Sequence, residues 1–473
     1  MKIIPDHVFR GYDLRGEVDK DLDEENVEIL GKAYATWLLQ RRIYDCVVGY
    51  DCRITSPAFR DAIVKGLTEA GVTVYDIGMT LTQIAYFAQY VYRTRGLVMI
   101  TASHNPKEYN GFKFGTGFSE TMLTDDIIVF RELVKSGKFI TKQPQGEHIQ
   151  EDVFDTYLAD LLRHIPAQNI GKFKIVVDSC AATTGIFLPK ILRAVGCEVV
   201  EQNTKPDGNF PVGTPDPTER DVQERLADGV RKAKADLGFS YDCDGDRMGV
   251  VDEDGGLIWN DTLCSLYAKD ILENLPGSKI VYNTLCSKQV DDVIRASGGI
   301  PIMWMTGHSF IKAKVREVNA PFGGELSGHF YFVDNFYGHD DGAIGTLRLL
   351  SYLTRIKKSL KQAVSELPHY VSSPEIKVGC PDKIKFEVVS KDLGSAIKKL
   401  YPTAKYVEID GVRMDTQDEM MIIRASQNGP YLTVKFEGKT LESYDKLKAQ
   451  ISEILHSNKN VDFRYGVNVD SLK

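Results

Sequence analysis

Three stretches of this chain repeat one pattern, and that pattern constrains the fold more than any other feature. They are "CVVGYDCRITSPAFRDAIVKGLTEAGVTVYDIG" from Cys46, "KIVVDSCAATTGIFLPKILRAVGCEVVEQN" from Lys174 and "KIVYNTLCSKQVDDVIRASGGIPIMWMTG" from Lys279. Each opens with a β-branched run and reaches a polar residue: Asp51, Asp178 or Asn283. A helical stretch follows, ends at a glycine (Gly71, Gly196, Gly298) and gives way to a second apolar run. Strand, glycine-terminated helix, strand is the signature of a βαβ unit in a mostly parallel sheet. The repeats lie too far apart for a solenoid, so they predict three related α/β domains in series.

The tail breaks the pattern. From about Pro368 the order reads as a strand (Ile384 to Val388), a helix (Leu393 to Leu400), several short strands punctuated by Gly411, Gly429-Pro430 and Gly438, and a final helix, Leu441 to His456. This predicts a small C-terminal α+β domain with an antiparallel sheet. Leu367-Pro368-His369 is the expected hinge, after a long helix from Ile344 to Lys358. The expected domains are 1–150, 151–255, 256–367 and 368–473, and a chain of 473 residues is too long for a single core.

Composition narrows the function. A net charge of −8 argues against a nucleic-acid-binding surface, and no run of about 20 apolar residues predicts a membrane span. The start, Met1 to His7, lacks the apolar segment of a signal peptide, and the eight cysteines stand singly. The expectation is a reduced, cytoplasmic protein with neither nucleic-acid nor membrane partners.

The chemistry concentrates in a few short motifs. "TASHNPKEYNGFKF" (101–114) follows the apolar run Gly96 to Ile100 and displays Ser103, His104 and Lys113 at the carboxyl end of a buried strand, where parallel sheets bind ligands. A polar Ser/Asx turn explains the same residues. A Ser-His hydrolase does not, because no G-x-S-x-G elbow is present and an adjacent histidine is badly placed to deprotonate its neighbour. "YDCDGDR" (241–247) alternates Asp242, Asp244 and Asp246. Carboxylates that close repel unless a cation holds them, and hard oxygen ligands suit Mg²⁺ or Ca²⁺. An EF-hand fails, because Arg247 holds its glycine position and a strand and hairpin follow. Arg247 beside the carboxylates suggests phosphate.

"GGELSGH" (323–329) spaces Glu325, Ser327 and His329 by two, which puts them on one face if the segment is extended, and the set suits sugar hydroxyls. "RASQNGPYLTVKFEG" from Arg424 offers an arginine, Ser426 and a tight turn as a phosphate cradle, or simply a hairpin. "FRGYDLRG" adds Arg10 and Arg15, and Arg53 adds further positive charge. A serine, a hard cation, an arginine, sugar contacts and a phosphate cradle together fit phosphoryl transfer on a phosphosugar. No Walker motif implies a nucleotide donor.

Taken in order, "FRGYDLRG", "GYDCRITSP", "TASHNP", "DCDGDR", "GELSGH" and "RASQNGP" resemble the α-D-phosphohexomutases nearly end to end, and most closely the bacterial phosphomannomutase/phosphoglucomutase group. The resemblance implies four domains in a heart shape around a central cleft, with a mobile fourth domain. It implies interconversion of hexose 1-phosphate and hexose 6-phosphate, of mannose or glucose, through a phosphoserine enzyme and a bound hexose 1,6-bisphosphate. Ser103 would carry the phosphoryl group, and Asp242, Asp244 and Asp246 would bind Mg²⁺ with it. His104, Lys113, Arg247, His329 and Arg15 would surround the transferring group, with Lys113 and His329 as the general acid/base candidates. Glu325, Ser327, His308 and Tyr12 would contact the substrate, and Arg424, Ser426 and Asn428 would grip its other phosphate. A monomer or weak homo-oligomer is expected.

This sequence departs from the family at Cys243, where a glycine is usual, at Gln427 and Asn428 in the phosphate loop, and at Leu285, where bifunctional relatives often carry lysine. An apolar Leu326 between Glu325 and Ser327 resembles the mannose/glucose group, where a glutamine would resemble the phosphoglucosamine mutases, and so implies mannose and glucose phosphates over glucosamine phosphate. The alternatives are a phosphoglucosamine mutase, a Mg²⁺ phosphatase and a silent phosphosugar-binding protein of the same fold.

Overall fold

A computed structural model describes residues 4–427 and 429–473, with Tyr465 described by its backbone alone. The three repeats are βαβ units. In each, the two strands pair in parallel: Asp45–Tyr50 with Thr73–Met79, Lys174–Asp178 with Glu198–Gln202, and Lys279–Asn283 with Ile300–Trp304. Their helices, Ser56–Glu69, Thr184–Ala194 and Lys288–Ala296, end in one and the same way. Gly71, Gly196 and Gly298 take φ of +86°, +89° and +77°. Each following N–H reaches back five residues, Val72 to Leu67 O, Cys197 to Leu192 O and Gly299 to Ile294 O. This is the Schellman cap, and glycine is the residue that enters it without strain.

The chain divides into two compact units, 1–260 with 327–365, and 261–326 with 366–473. The first unit holds two mixed sheets. In one, Gly96–Ile100, Asp45–Tyr50, Thr73–Met79 and His148–Gln150 run parallel, and Tyr109–Gly117 and Leu14–Glu17 close the edge antiparallel. In the other, Leu237–Tyr241, Lys174–Asp178 and Glu198–Gln202 are parallel, with Met248–Val251 and Leu257–Ile258 antiparallel beyond them. Val47, Val48, Leu97, Val98, Val176 and Val177 are fully buried, as expected of parallel strands covered on both faces.

The second unit sets Lys279–Asn283 between Ile300–Trp304 and Phe322–Gly324, all parallel. Its other sheet is antiparallel and seven-stranded, in the order Lys405–Val407, Val412–Asp415, Glu419–Ala425, Tyr431–Gly438, Ile376–Gly379 and Asp462–Val467, with Val371–Ser372 also on Tyr431–Gly438. Helix Leu441–Ser457 buries Leu447, Ile451 and Leu455 in the core of this sheet.

Two expected elements are corrected. Ile384 to Val388 is helical rather than a strand: helix Lys385–Glu387 runs through a wider π turn, Val388–Leu393, into Gly394–Leu400. Val388, Val389, Leu393 and Ile397 recur at helical spacing and bury together, and that periodicity outweighs their β-branched character. The strand of this region lies upstream, at Ile376–Gly379. Likewise, residues 325–329 form a turn, with Gly328 at φ +95°, instead of an extended segment presenting one face. A short helix, Leu360–Ser365, also separates helix Gly342–Ile356 from Leu367.

Candidate active site

The parallel strand Gly96–Ile100 delivers residues 101–106 at its carboxyl end. There the Thr101 hydroxyl accepts the Ser103 N–H at 2.8 Å and Ala102 O accepts the Asn105 N–H at 2.9 Å. Ser103 sits in the left-handed region, at φ +49°, which costs a non-glycine residue free energy and needs support from its surroundings. Arg53 supplies it. The guanidinium is wholly buried and donates to the carbonyls of Ser103 (2.8 Å), Asn105 (2.7 Å), Pro106 (2.8 Å) and Tyr109 (3.0 Å), while Nε binds Asp51 at 3.1 Å. Every donor direction of the fork is used, so Arg53 is the framework of the serine loop. As a sequence feature it registered only as positive charge, because its partners are backbone carbonyls.

The acidic loop is the turn between the paired strands Leu237–Tyr241 and Met248–Val251, with Tyr241 opposite Met248. The Ser103 hydroxyl donates to Asp242 Oδ2 at 2.6 Å. Asp242 also accepts from Arg247 Nε at 3.0 Å and from the Gly245 and Arg247 N–H groups. Arg247 Nη2 lies 3.4 Å from Ser103 Oγ. Lys113 bridges Asp244, at 2.7 Å, and Asp246. The Thr82 hydroxyl donates to Asp244 at 2.6 Å.

All three aspartates are fully buried. Burial, with Asp246 and Asp244 nearby, pushes the Asp242 carboxyl up to about 8, and burial with Asp244 raises Asp246 to about 6. Burial works in the same direction on Asp244, but Lys113 and Thr82 outweigh it and hold that group well below its ordinary value. Lys113 is itself raised: burial opposes its charge, and Asp244 and Asp246 more than offset it.

The cluster fits a hard cation. Asp242, Asp244 and Asp246 offer oxygens within 4.8 Å of one another, and Oδ1 of both Asp244 and Asp246 is buried without a hydrogen-bond partner. Cys243, in place of the family's glycine, leaves the set intact. Its sulfur lies 3.9 Å from Cys52 Sγ and 3.6 Å from Asp51, in a small cluster with Ala182 and Phe210.

Two more charged groups complete this region. Arg15 donates to Asp13 and, at 3.0 Å, to Asn105 Oδ1, tying strand Leu14–Glu17 to the serine loop. His329 Nδ1 lies 2.9 Å from Asp340 and 3.7 Å from Asp246. Asp340 escaped sequence reading because its relation to His329 is made in three dimensions. One expectation is corrected here: His104 does fold back onto its neighbour, with Nδ1 at 3.1 Å from Ser103 Oγ. The positive φ of Ser103 turns the chain enough to allow it. The Ser103 hydroxyl is thus shared between His104 and, at 2.6 Å, Asp242 Oδ2.

The structure therefore brings Ser103, His104, Lys113, Arg15, Arg247, His329 and the three aspartates together in the first unit, which also contains buried Tyr12 and half-buried Ser327. Glu325, His308, Arg424 and Ser426 belong to the second. There Glu325 Oε2 accepts the Gly307 N–H at 2.9 Å, at the start of helix His308–Glu317. Arg424, near the end of strand Glu419–Ala425, donates Nε to Asp410 at 2.8 Å. Ser426 closes the hairpin through its N–H to Tyr431 O. Asn428 lies outside the described residues.

Known proteins carry the same frame. Residues 6–128, 155–256 and 259–370 match the alpha/beta/alpha domains I, II and III of phosphoglucomutase/phosphomannomutase. The chain is 34% identical over 448 residues to a phosphomannomutase/phosphoglucomutase of Pseudomonas syringae pv. tomato, covering 94% of each. It is 31% identical to a phosphoglucomutase of Neisseria gonorrhoeae, covering 97% of this chain and 98% of that one. A crystal structure of a phosphoglucomutase/phosphomannomutase family protein from Burkholderia thailandensis superposes with a TM-score of 0.87 at 32% identity, over 98% of this chain and 100% of that one.

Proposed function

Because this chain belongs to the phosphoglucomutase/phosphomannomutase family, we propose that it is a hexose-phosphate mutase, an intramolecular phosphotransferase working through Ser103. The observation that carries the reading is the Ser103–Asp242 contact of 2.6 Å. It sets the Ser103 hydroxyl against a buried carboxylate cluster suited to a divalent cation. A phosphoryl group on Ser103 would meet Arg247 and His104 at once.

Asp242, Asp244 and Asp246 would hold Mg²⁺, which when bound neutralises charge on the phosphoryl oxygens. The residues of the chain do the rest. Arg53 and Arg15 fix the serine loop. Arg247 supplies a guanidinium fork for the transferring group. Lys113 keeps the acidic loop compact and its charge balanced. His329, with Nδ1 2.9 Å from Asp340, would take a proton from an incoming sugar hydroxyl. Phospho-Ser103 donates to a hexose phosphate, and the hexose 1,6-bisphosphate so formed returns its other phosphate to Ser103. Glu325, His308 and Ser327 would hold sugar hydroxyls, and Arg424 with Ser426 the phosphate that is not reacting. Tyr12 would add a substrate contact. Leu326 supports mannose and glucose phosphates as substrates. The domain boundaries 1–150, 151–255, 256–367 and 368–473 belong to the same proposal.

Phosphorus NMR of glucose 1-phosphate or mannose 1-phosphate with enzyme, Mg²⁺ and a trace of hexose 1,6-bisphosphate tests it. The expected result is conversion to the 6-phosphate with total ester phosphate conserved. Stoichiometric release of inorganic phosphate would instead make the protein a phosphatase, and binding without conversion would make it a silent relative.

A further inference from the structure

Asp410 stands where the two recognition loops of the second unit meet, and no motif marks it. It precedes Gly411, whose φ is +91°, and a Cβ at Gly411 would lie 2.3 Å from Ile423 O and 2.6 Å from Arg424 Cα. The glycine therefore lets the Asp410 turn press directly onto the strand that carries Arg424. One oxygen, Oδ2, then accepts three hydrogen bonds from three segments: Arg424 Nε at 2.8 Å, the Thr306 N–H at 2.9 Å and the Thr284 hydroxyl at 3.2 Å. Arg424 is buried, and Asp410 is the one hydrogen-bond partner of its guanidinium among the described residues. Thr306 begins the Thr306-Gly307-His308 loop, and Glu325, just past strand Phe322–Gly324, accepts the next N–H, that of Gly307.

We propose that Asp410 is a positioning residue that couples phosphate grip to sugar recognition. By taking the Nε edge of Arg424 it turns the two terminal nitrogens outward as a fork for a phosphate monoester. By holding the Thr306 N–H it sets the loop that presents His308. One carboxylate thus fixes the spacing between an anion site and a hydroxyl-recognising site, so that a hexose phosphate is bound as one object rather than as phosphate and sugar separately. This rests on the proposed roles of Arg424 and His308 and adds a specificity determinant to them.

The test is steady-state kinetics on glucose 1-phosphate for wild type, Asp410→Asn, Asp410→Ala, Arg424→Ala and the Asp410→Ala/Arg424→Ala double variant, each checked by thermal melting. Loss of a charged hydrogen bond at the binding site predicts a KM raised at least about tenfold in Asp410→Ala, with kcat within about threefold of wild type. Asp410→Asn, which keeps shape but not charge, should fall between. In the Arg424→Ala background the same Asp410→Ala change should add a much smaller factor, because the effect runs through Arg424. Equal factors in the two backgrounds, a lowered kcat at unchanged KM, or a KM within twofold of wild type in both Asp410 variants would overturn the coupling while leaving the mutase reading intact. A wild-type protein with no conversion of either hexose 1-phosphate would overturn both.

Discussion

Around Ser103 the positive groups are paired with carboxylates of their own neighbourhood: Lys113 with Asp244 and Asp246, Arg247 with Asp242, Arg15 with Asp13 and Arg53 with Asp51. Among the described residues Arg424 forms one ion pair, with Asp410, and Glu375 adds a more distant negative charge. The first region is an interlocked charge network, dense enough to hold a fixed group on Ser103 in one geometry. The second has fewer partners among the described residues, and Asp410 takes only the Nε edge of its guanidinium. The contrast matches a division of labour in which one region performs transfer and the other binds and releases the substrate. Preorganised charge serves the transition state, whereas binding that must be reversed needs fewer committed partners.

Breaking the first region should cost turnover in proportion to how close the change lies to Ser103. Ser103→Ala should lower kcat by at least about 10⁴-fold, as removal of a nucleophile does, in a phosphorus NMR or coupled assay. Calorimetric binding of glucose 6-phosphate should stay within about threefold, since Arg424 is untouched. A large loss of binding would merge the two regions that the comparison separates.

Asp244→Asn removes a carboxylate proposed as a cation ligand, whose Oδ1 is buried without a hydrogen-bond partner. The metal concentration for half-maximal rate should rise beyond the roughly 10- to 100-fold typical of an outer-sphere partner, and unchanged activity at limiting Mg²⁺ would refute the assignment. Arg53→Lys keeps a charge but loses the fork. It should lower kcat by about 10- to 100-fold with KM little changed, and lower the melting temperature, because the lysine cannot span four carbonyls. A Tm loss with full kcat would make Arg53 purely structural. The smallest effect belongs to Cys243→Ala. Its sulfur contacts Cys52, Thr183 and Asp51, none of them a proposed ligand, so the metal requirement should stay within about twofold, at a cost of about 1 kcal/mol of stability in urea melts.

Much of this was legible in the residues because it was local. The strand–helix–glycine–strand repeats follow from periodicity within some 30 residues and from a cap that glycine makes without strain. The alternating aspartates stood out by crowding of like charge, whereas Ser103 alone read equally well as a polar turn and gained its role from them and from the family resemblance. What failed was of two kinds. Ile384 to Val388 reads as a strand where the chain is helical, and the shared face of Glu325, Ser327 and His329, which depends on an extended segment, is lost where Gly328 turns the chain. What stayed hidden was long-range: Arg53 binds carbonyls 50 to 56 residues away, and Asp410 meets Thr284 and Thr306 at 126 and 104 residues. Such partners leave no local pattern to read.

The central claim is that Ser103 is the phosphate carrier. Tandem mass spectrometry of the protein after incubation with glucose 1,6-bisphosphate and Mg²⁺ tests it most directly. The account predicts one added phosphoryl group, located on Ser103 and discharged on addition of excess glucose 6-phosphate or mannose 6-phosphate. A protein that stays unmodified, or that carries its phosphate on another residue while converting substrate, would contradict it.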